Sequence, residues 1–208
     1  MYLHWIAHSL GMLLLNIPVT LLGLVLVAIG IPFRRTFPET AAPFTVWGEY
    51  GSWELVRLPS LLKWWDNQYD GLYGDKRGYW SDQRGGKHDS FLSMWLWAAV
   101  RNPANYFSRN VTVVDISRCV VTKVWGDDEV IEEPGYQCAQ FLCATRDDGK
   151  KFYRMFISWA LPFRQDKALL LDIGYKFKLG HNSMSHDAPE KDRLRSDVFV
   201  VSPWKHLR

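Results

Sequence analysis

The stretch that decides the architecture is LGMLLLNIPVTLLGLVLVAIGIPF, residues 10–33. Its 24 residues carry no charge, no Asp, Glu, Lys or Arg precedes Arg34, and 15 of them are Leu, Ile, Val or Phe. A helix of this length spans roughly 36 Å, enough to cross a hydrocarbon core of about 30 Å. Those large apolar side chains contribute roughly −4.5 to −9 kcal/mol to insertion, which outweighs the cost of Asn16 and Pro18. The stretch therefore predicts one transmembrane helix, kinked at Pro18.

Two other interpretations fit the run less well. A cleaved signal peptide needs a basic segment ahead of an apolar run of about 7–15 residues, and a buried core helix rarely continues this far without a charge. Arg34 and Arg35 follow the span directly, so the positive-inside rule predicts an outside N-terminus and places residues 36–208 in the cytoplasm. Trp5 and Trp47 flank the span and are predicted, with the two arginines, to lie at the membrane interfaces.

Composition narrows the class of the remainder. The 208 residues are 48% hydrophobic and 23% charged, which excludes a disordered chain and a polytopic membrane protein. A net charge of +3 is too small to indicate nucleic acid as a partner. The three cysteines provide no disulfide framework and are expected to be free thiols. Seven of the 11 tryptophans lie between Trp47 and Trp97, more than a core of that size needs, which indicates an interface.

The sequence after the span predicts an α+β fold. Residues 1–35 form the anchor, residues 36–63 a Pro-bearing juxtamembrane linker, and residues 64–208 a soluble domain. Ser90 is a suitable N-cap for a tryptophan-rich helix that Asn102 and Pro103 end. An antiparallel sheet of about five strands is expected to pack on this helix. Alternating apolar residues predict the strands at residues 111–124 (with a bulge), 136–145, 151–161, 168–179 and 198–201, with a mobile loop over residues 180–196.

The most unusual segment is WWDNQYDGLYGDKRG, residues 64–78. Its oxygen-bearing side chains follow the first half of a calcium loop, but Arg77 stands where that loop needs a bidentate Glu. Two interpretations therefore stay open. Asp66, Asp70 and Asp75 are candidate ligands for Ca²⁺ or another divalent cation, and no other cofactor is indicated. Alternatively the loop is structural, with Asn67, Gly71 and Gly74 forming turns and the carboxylates accepting hydrogen bonds from backbone amides.

A second candidate is RNPAN, residues 101–105, at the end of the predicted helix. Arg101 is the nearest cation that the sequence places beside the aspartate loop, so we expect it to pair with at least one of those carboxylates. Asn102 and Asn105 are expected to satisfy backbone groups at the helix end. The alternative is that Arg101 binds an anion or a lipid head group.

The two segments together, WWDNQYDGLYGDKRGYW (64–80) and FLSMWLWAAVRNPANYF (91–107), resemble an uncharacterised family of small proteins encoded by tailed bacteriophages and prophages. Members carry a tryptophan-flanked D-N-x-x-D-G-x-x-G-D loop and a downstream R-N-P-A-N motif. The resemblance implies a bacterial host and a phage-encoded product at the host inner membrane. It implies no catalytic residue.

The sequence thus predicts a single-span, membrane-anchored accessory protein that is not an enzyme. Its cytoplasmic domain is expected to bind a host or phage protein or the membrane surface. One alternative is an enzyme that uses the Asp66, Asp70 and Asp75 loop, with or without a metal, on a cell-envelope substrate. Another is a structural component of the virion. The sequence contains no nucleophile elbow, Walker loop or dinucleotide fingerprint.

Overall fold

The structure, a computed structural model, describes residues 1–37, 55–68, 70–77, 80–82, 86–183, 185–188 and 190–206. The chain divides into two compact units. Unit 1 comprises Met1–Leu13 and Thr112–Arg208, and unit 2 comprises Leu14–Val111. The boundary between the units falls inside the first helix, so the apolar run contributes packing surface to each unit in addition to its predicted role as an anchor.

The first helix, α1, runs from Tyr2 to Gly30 and ends in a 3₁₀ turn, Ile31–Phe33. Among the described residues, Tyr2–Phe33 is long and apolar enough to be a candidate membrane span. The predicted long apolar helix is therefore confirmed. It begins at Tyr2 rather than at Leu10, because the residues before Leu10 are also uncharged and Pro18 is accommodated inside the helix.

Unit 1 contains a six-stranded antiparallel sheet. Its strands are β3 (Val113–Asp115), β4 (Cys119–Gly126), β5 (Gln137–Arg146), β6 (Lys151–Leu161), β7 (Arg164–Tyr175) and β8 (Leu194–His206). They lie in the order β3-β8-β7-β6-β5-β4. The sequence predicts the central strands well because their apolar residues alternate and their turns are short.

The sheet differs from the sequence prediction at its ends. The single strand expected over residues 111–124 is two strands, separated by a 3₁₀ turn at Ile116–Arg118. The Asp115 carboxylate caps this turn by accepting the Ser117 N–H at 3.1 Å. The predicted bulge lies between Lys123 and Trp125. Strand β8 is far longer than residues 198–201 because it pairs with both β3 and β7. The expected loop over residues 180–196 contains a 3₁₀ turn and a short helix, Glu190–Arg193.

The two faces of the sheet bury separate apolar clusters within unit 1. One face contains Phe152, Phe177 and their neighbours. Phe141, Cys143 and Tyr153 form another cluster, against which Trp5 of α1 packs. All three cysteines are buried free thiols.

A buried ion pair joins two central strands of this sheet. Arg154 on β6 donates from Nε and Nη2 to the two carboxylate oxygens of Asp172 on β7, at 2.8 and 3.0 Å. Its Nη1 donates to the carbonyl oxygen of Phe177 at 2.8 Å. The side chains are only 9% and 13% exposed, so each charge depends on the other for compensation.

Unit 2 is built from short elements around the second half of α1. Its strands β1 (Arg35–Phe37) and β2 (Leu55–Arg57) pair antiparallel, and 3₁₀ segments cover Ser60–Trp65 and Gly71–Arg77. Helix α2 (Phe91–Trp95) continues as a π turn, Leu96–Arg101, and is followed by α3 (Asn105–Asn110). The predicted cap is confirmed, since Ser90 Oγ accepts the Ser93 N–H at 3.2 Å. The core comprises Val27, Ile31, Val56, Leu58, Leu72, Met94, Ala98 and Ala99.

The ion pair in the sheet generates a stability prediction. Arg154→Met leaves the Asp172 carboxylate buried without its cation, so we expect the free energy of unfolding to fall by about 3–5 kcal/mol. The double variant Arg154→Met/Asp172→Val removes both charges and should recover most of this loss. Denaturant titration of the purified protein in mild detergent measures the differences. A double variant as unstable as the sum of the two single variants would contradict this account of the pair.

Candidate functional site

Asp66, at the end of the Ser60–Trp65 segment, is a deeply buried carboxylate of the candidate metal loop. It is 1% exposed. Its Oδ2 accepts the Leu58 N–H at 3.2 Å and lies 3.7 Å from Arg57 Nη1, whereas Oδ1 is buried with no hydrogen-bond partner.

Burial raises the pKa of Asp66 to about 7, although the Arg57 guanidinium and the backbone N–H groups of Leu58 and Asn67 act in the opposite direction. Burial dominates because Arg57 is not fully committed to the carboxylate. Arg57 Nη2 donates to the carbonyl oxygen of Gln68 at 2.6 Å. The unpartnered Oδ1 is the atom that would carry the proton of the neutral form.

Asp75 is also buried, at 0% exposure, and both of its oxygens are used by the backbone. Oδ1 accepts the Trp80 N–H at 2.9 Å, and Oδ2 accepts the Ser81 N–H at 2.8 Å. These bonds join the Gly71–Arg77 segment to Trp80 and Ser81. A carboxylate engaged in this way holds a turn and offers little to a ligand.

Asn67 and Gly71 shape the turn between these two aspartates. Asn67 Oδ1 accepts the Asp70 N–H at 3.1 Å, and the Asn67 carbonyl oxygen accepts the Gly71 N–H at 3.0 Å. Gly71 has φ +56°, and a Cβ there would lie 2.3 Å from the Val56 carbonyl oxygen. Only glycine satisfies both the left-handed backbone and this close approach.

The described residues give no support to a metal at this loop. Within the described ranges, no three or more His, Cys, Asp or Glu side chains are grouped so that they could hold a metal ion. Asp66, Asp70 and Asp75 all lie within those ranges. The Ca²⁺ hypothesis therefore has no supporting geometry, and the hydrogen bonds of Asp66 and Asp75 support the structural interpretation.

The R-N-P-A-N segment packs directly on the aspartate loop. Asn105 Oδ1 accepts the Gln68 N–H at 3.1 Å, and the Asp66 carbonyl oxygen accepts the Tyr106 N–H at 3.0 Å. Asn102 closes the π turn, because its Nδ2 and its backbone N–H both donate to the Trp97 carbonyl oxygen. The two motifs that stand apart in the sequence therefore form one hydrogen-bonded structure.

Arg101 lies exposed at the end of the π turn, and its pairing with the loop stays a prediction. The cation that the structure places beside Asp66 is Arg57, which the sequence analysis did not identify. Arg57 belongs to no motif and precedes Asp66 by nine positions, so no sequence signal marks the pair.

The aspartate loop and the α2 helix support two tryptophans that bind α1. Trp65 Nε1 donates to the Val19 carbonyl oxygen at 2.7 Å, and Trp95 Nε1 donates to the Leu24 carbonyl oxygen at 2.8 Å. We refer to Trp65 and Trp95 as the tryptophan clamp. A helix carbonyl that already accepts its intrahelical bond has a second lone pair available for such a donor.

Glycines in α1 make this approach possible. A Cβ at Gly23 would lie 2.6 Å from Trp65 Cδ1, and one at Gly30 would lie 2.6 Å from Leu62 Cδ1. The sequence analysis missed the clamp and these contacts. The sequence does contain one signal for a close contact. Gly23 and Gly30 are seven positions apart, so they lie on the same side of a helix that is otherwise formed mainly by large apolar residues.

The opposite side of α1 in unit 2 is exposed and wholly apolar. Its exposed residues recur at spacings of three and four and therefore lie on one face. Leu14 is 73% exposed and Phe33 69%. We refer to this surface as the apolar face; its large members are Leu14, Leu15, Ile17, Leu21, Leu22, Val25, Ile29 and Phe33.

The predicted interfacial residues lie in different surroundings. Trp5 packs edge-on against Phe141 in unit 1, with ring centroids 5.7 Å apart. Arg34 and Arg35 are exposed at the end of the apolar run, and Arg34 Nη1 donates to the Ile31 carbonyl oxygen at 3.3 Å. Trp47 lies outside the described residues. The membrane-interface role of these four residues stays a prediction.

Unit 1 contains a cleft of about 750 Å³ where the first turns of α1 meet the sheet. Imidazole, ammonium and phenol groups are prominent among the described residues that line it. The polar lining residues are His4, His8, Lys150, Lys151, Tyr153 and Tyr175.

The chain belongs to a family of unknown function, DUF7338, which it matches over residues 1–207. This agrees with the uncharacterised family expected from the sequence. No curated protein and no solved structure matches the chain.

The displaced pKa of Asp66 generates a pH prediction. The folded pKa is about 7 against an ordinary value of 3.8, so between these values the folded protein binds more protons than the unfolded chain. The contribution of Asp66 to the free energy of unfolding should therefore be greatest below about pH 4 and should decrease as the pH rises towards 7. The full shift corresponds to a contribution on the order of 4 kcal/mol.

Asp66→Asn keeps an oxygen acceptor for the Leu58 N–H and removes the titration. We expect a flatter profile of unfolding free energy between pH 4 and 7, measured by tryptophan fluorescence in mild detergent. Asp148→Asn is the matched control, because Arg146 lowers the pKa of that exposed carboxyl and its titration lies below this range. An unchanged slope in Asp66→Asn would show that Asp66 is ionised when folded.

Proposed function

We propose that this protein is a membrane-anchored accessory protein of a bacteriophage or prophage, attached to the bilayer by α1. Its folded part would bind a host or phage protein or the membrane surface. The observation that carries the proposal is the apolar face. From Leu10 to Phe33 every exposed side chain is apolar and none carries a hydrogen-bonding group. Hydrocarbon is the environment that such a surface needs, since it offers no hydrogen-bond partners.

The site of action within the cell is part of the same proposal. A phage-encoded protein of this kind would act at the inner membrane of a bacterial host. If α1 crosses the bilayer as a single span, the exposed Arg34 and Arg35 favour an outside N-terminus and a cytoplasmic folded part.

The geometry of the aspartate loop favours this role over an enzyme acting on the cell envelope. Catalysis by Asp66 or Asp75 would need carboxylate oxygens open to a substrate. Both side chains are buried, and both bind backbone N–H groups. A structural role in the virion is a separate alternative, which immunodetection in purified particles against membranes of infected cells would distinguish.

The proposal predicts that the full-length protein stays with membranes after high-salt and carbonate washes. Leu14→Arg/Leu21→Arg places two charges on the apolar face, each costing roughly 2.5–3.5 kcal/mol in hydrocarbon. We expect this variant to move largely into the soluble fraction. Sedimentation and flotation of cell membranes, followed by immunoblotting, measure the distribution.

Phe163→Arg is the matched control, because Phe163 is 95% exposed but lies in the turn between β6 and β7, away from α1 in the sequence. It should leave the distribution unchanged. Soluble wild-type protein, or a double-arginine variant that still floats with membranes, would contradict the proposal. Point substitutions are preferable to deleting residues 1–35, which would remove Val27 and Ile31 from the core of unit 2.

A further inference from the structure

In unit 2, α1 has one exposed face, and its opposite side is covered from Gly23 to its C-terminal end. The covered face contains Gly23, Val27, Gly30 and Ile31, all buried. The tryptophan clamp binds this side at Val19 and Leu24. A helix that crosses a bilayer perpendicular to its plane, with no other segment of the chain in the hydrocarbon, is instead surrounded by lipid on every side.

A crossing helix would carry the clamp to the middle of the bilayer. Val19 lies within about 4 Å of the midpoint along the axis whether the span is residues 10–33 or Tyr2–Phe33, and Leu24 lies within about 10 Å. Trp65 and Trp95 could stay hydrogen-bonded to these carbonyls only if their own segments also entered the hydrocarbon.

Those segments carry groups that hydrocarbon excludes. Lys63 lies two residues before Trp65, and its side chain is exposed, with Nζ 5.3 Å from the centre of the Trp64 ring. From the bilayer centre, a lysine side chain is too short to reach the head groups, which lie about 15 Å away. The docked arrangement of unit 2 and a perpendicular crossing of α1 therefore exclude each other.

We infer that α1, docked on the tryptophan clamp, lies in the plane of the membrane and inserts its apolar face among the lipid acyl chains of one leaflet. The partner is thus a lipid surface, and the attachment is monotopic. In-plane helices bury an apolar face about 5–10 Å deep while their other face stays on the water side. Here the Trp65 and Trp95 segments cover that other face, and the exposed Arg34 and Arg35 suit the phosphate layer.

The inference rests on the proposed membrane attachment and is tested by sidedness. Full-length protein with one epitope tag at each end is expressed in bacterial cells, and spheroplasts and inverted inner-membrane vesicles are treated with protease. We expect both tags to be protected in spheroplasts and both to be removed in inverted vesicles. Cleavage of the N-terminal tag only in spheroplasts, with the C-terminal tag cleaved only in inverted vesicles, would overturn the inference and leave membrane attachment intact. Failure to float with membranes would instead remove the proposed function.

A matched pair of substitutions tests whether docking is the cause. Gly23→Leu directs a side chain into Trp65, whereas Gly11→Leu adds the same side chain where nothing lies within 4 Å. We expect Gly11→Leu to keep both tags on the cytoplasmic side, and Gly23→Leu to expose the N-terminal tag in most spheroplast-derived protein. If the Gly23→Leu protein remains in membranes with both tags on the cytoplasmic side, the clamp does not determine the orientation and the inference fails.

Discussion

The contacts on which unit 2 depends are the two indole hydrogen bonds from Trp65 and Trp95 to the backbone of α1. Each is worth only about 0.5–1.5 kcal/mol in net stability. Their importance lies in position, because they fix both the register and the rotation of α1 against Met94, Leu58 and Val56. Once the clamp and Gly23 set which side of α1 is covered, the side left for the apolar face is determined.

The aspartate loop is explained as the support for this clamp. Trp65 immediately precedes Asp66, and the Asp66 backbone carbonyl accepts the Tyr106 N–H. Trp97 packs directly against Gly74, since a Cβ at residue 74 would lie 2.1 Å from Trp97 Nε1. Residues with a calcium-loop pattern are thus used to position aromatic side chains. The polar groups of this loop fix its backbone, and the loop in turn holds Trp65 against the uncharged helix α1.

Sequence periodicity predicted the features that depend on local pattern. The apolar run, the Ser90 cap and strand β6 follow from residue spacing and turn chemistry. The cap and β6 are found where they are predicted, whereas the apolar helix begins eight residues earlier, at Tyr2. The length of β8 was not predictable, because its outer residues are held by pairing with β3 and β7 rather than by their own alternation. The interruption between β3 and β4 depends on the Asp115 carboxylate, which caps the next turn. The β-branched residues on both sides of Asp115 predict one continuous strand instead.

The candidate site shows the same division between local and tertiary information. That the aspartates and asparagines would bond backbone groups follows from their residue types. That Arg57 faces Asp66, and that Trp65 and Trp95 face α1, depends on contacts between residues nine to 71 positions apart. Hydropathy indicates whether the side chains of a helix are stable in hydrocarbon. It does not indicate which other segments of the chain pack on that helix. A 24-residue uncharged run is therefore compatible with a crossing or with an in-plane helix, and the side chains that separate the two belong to other segments of the chain.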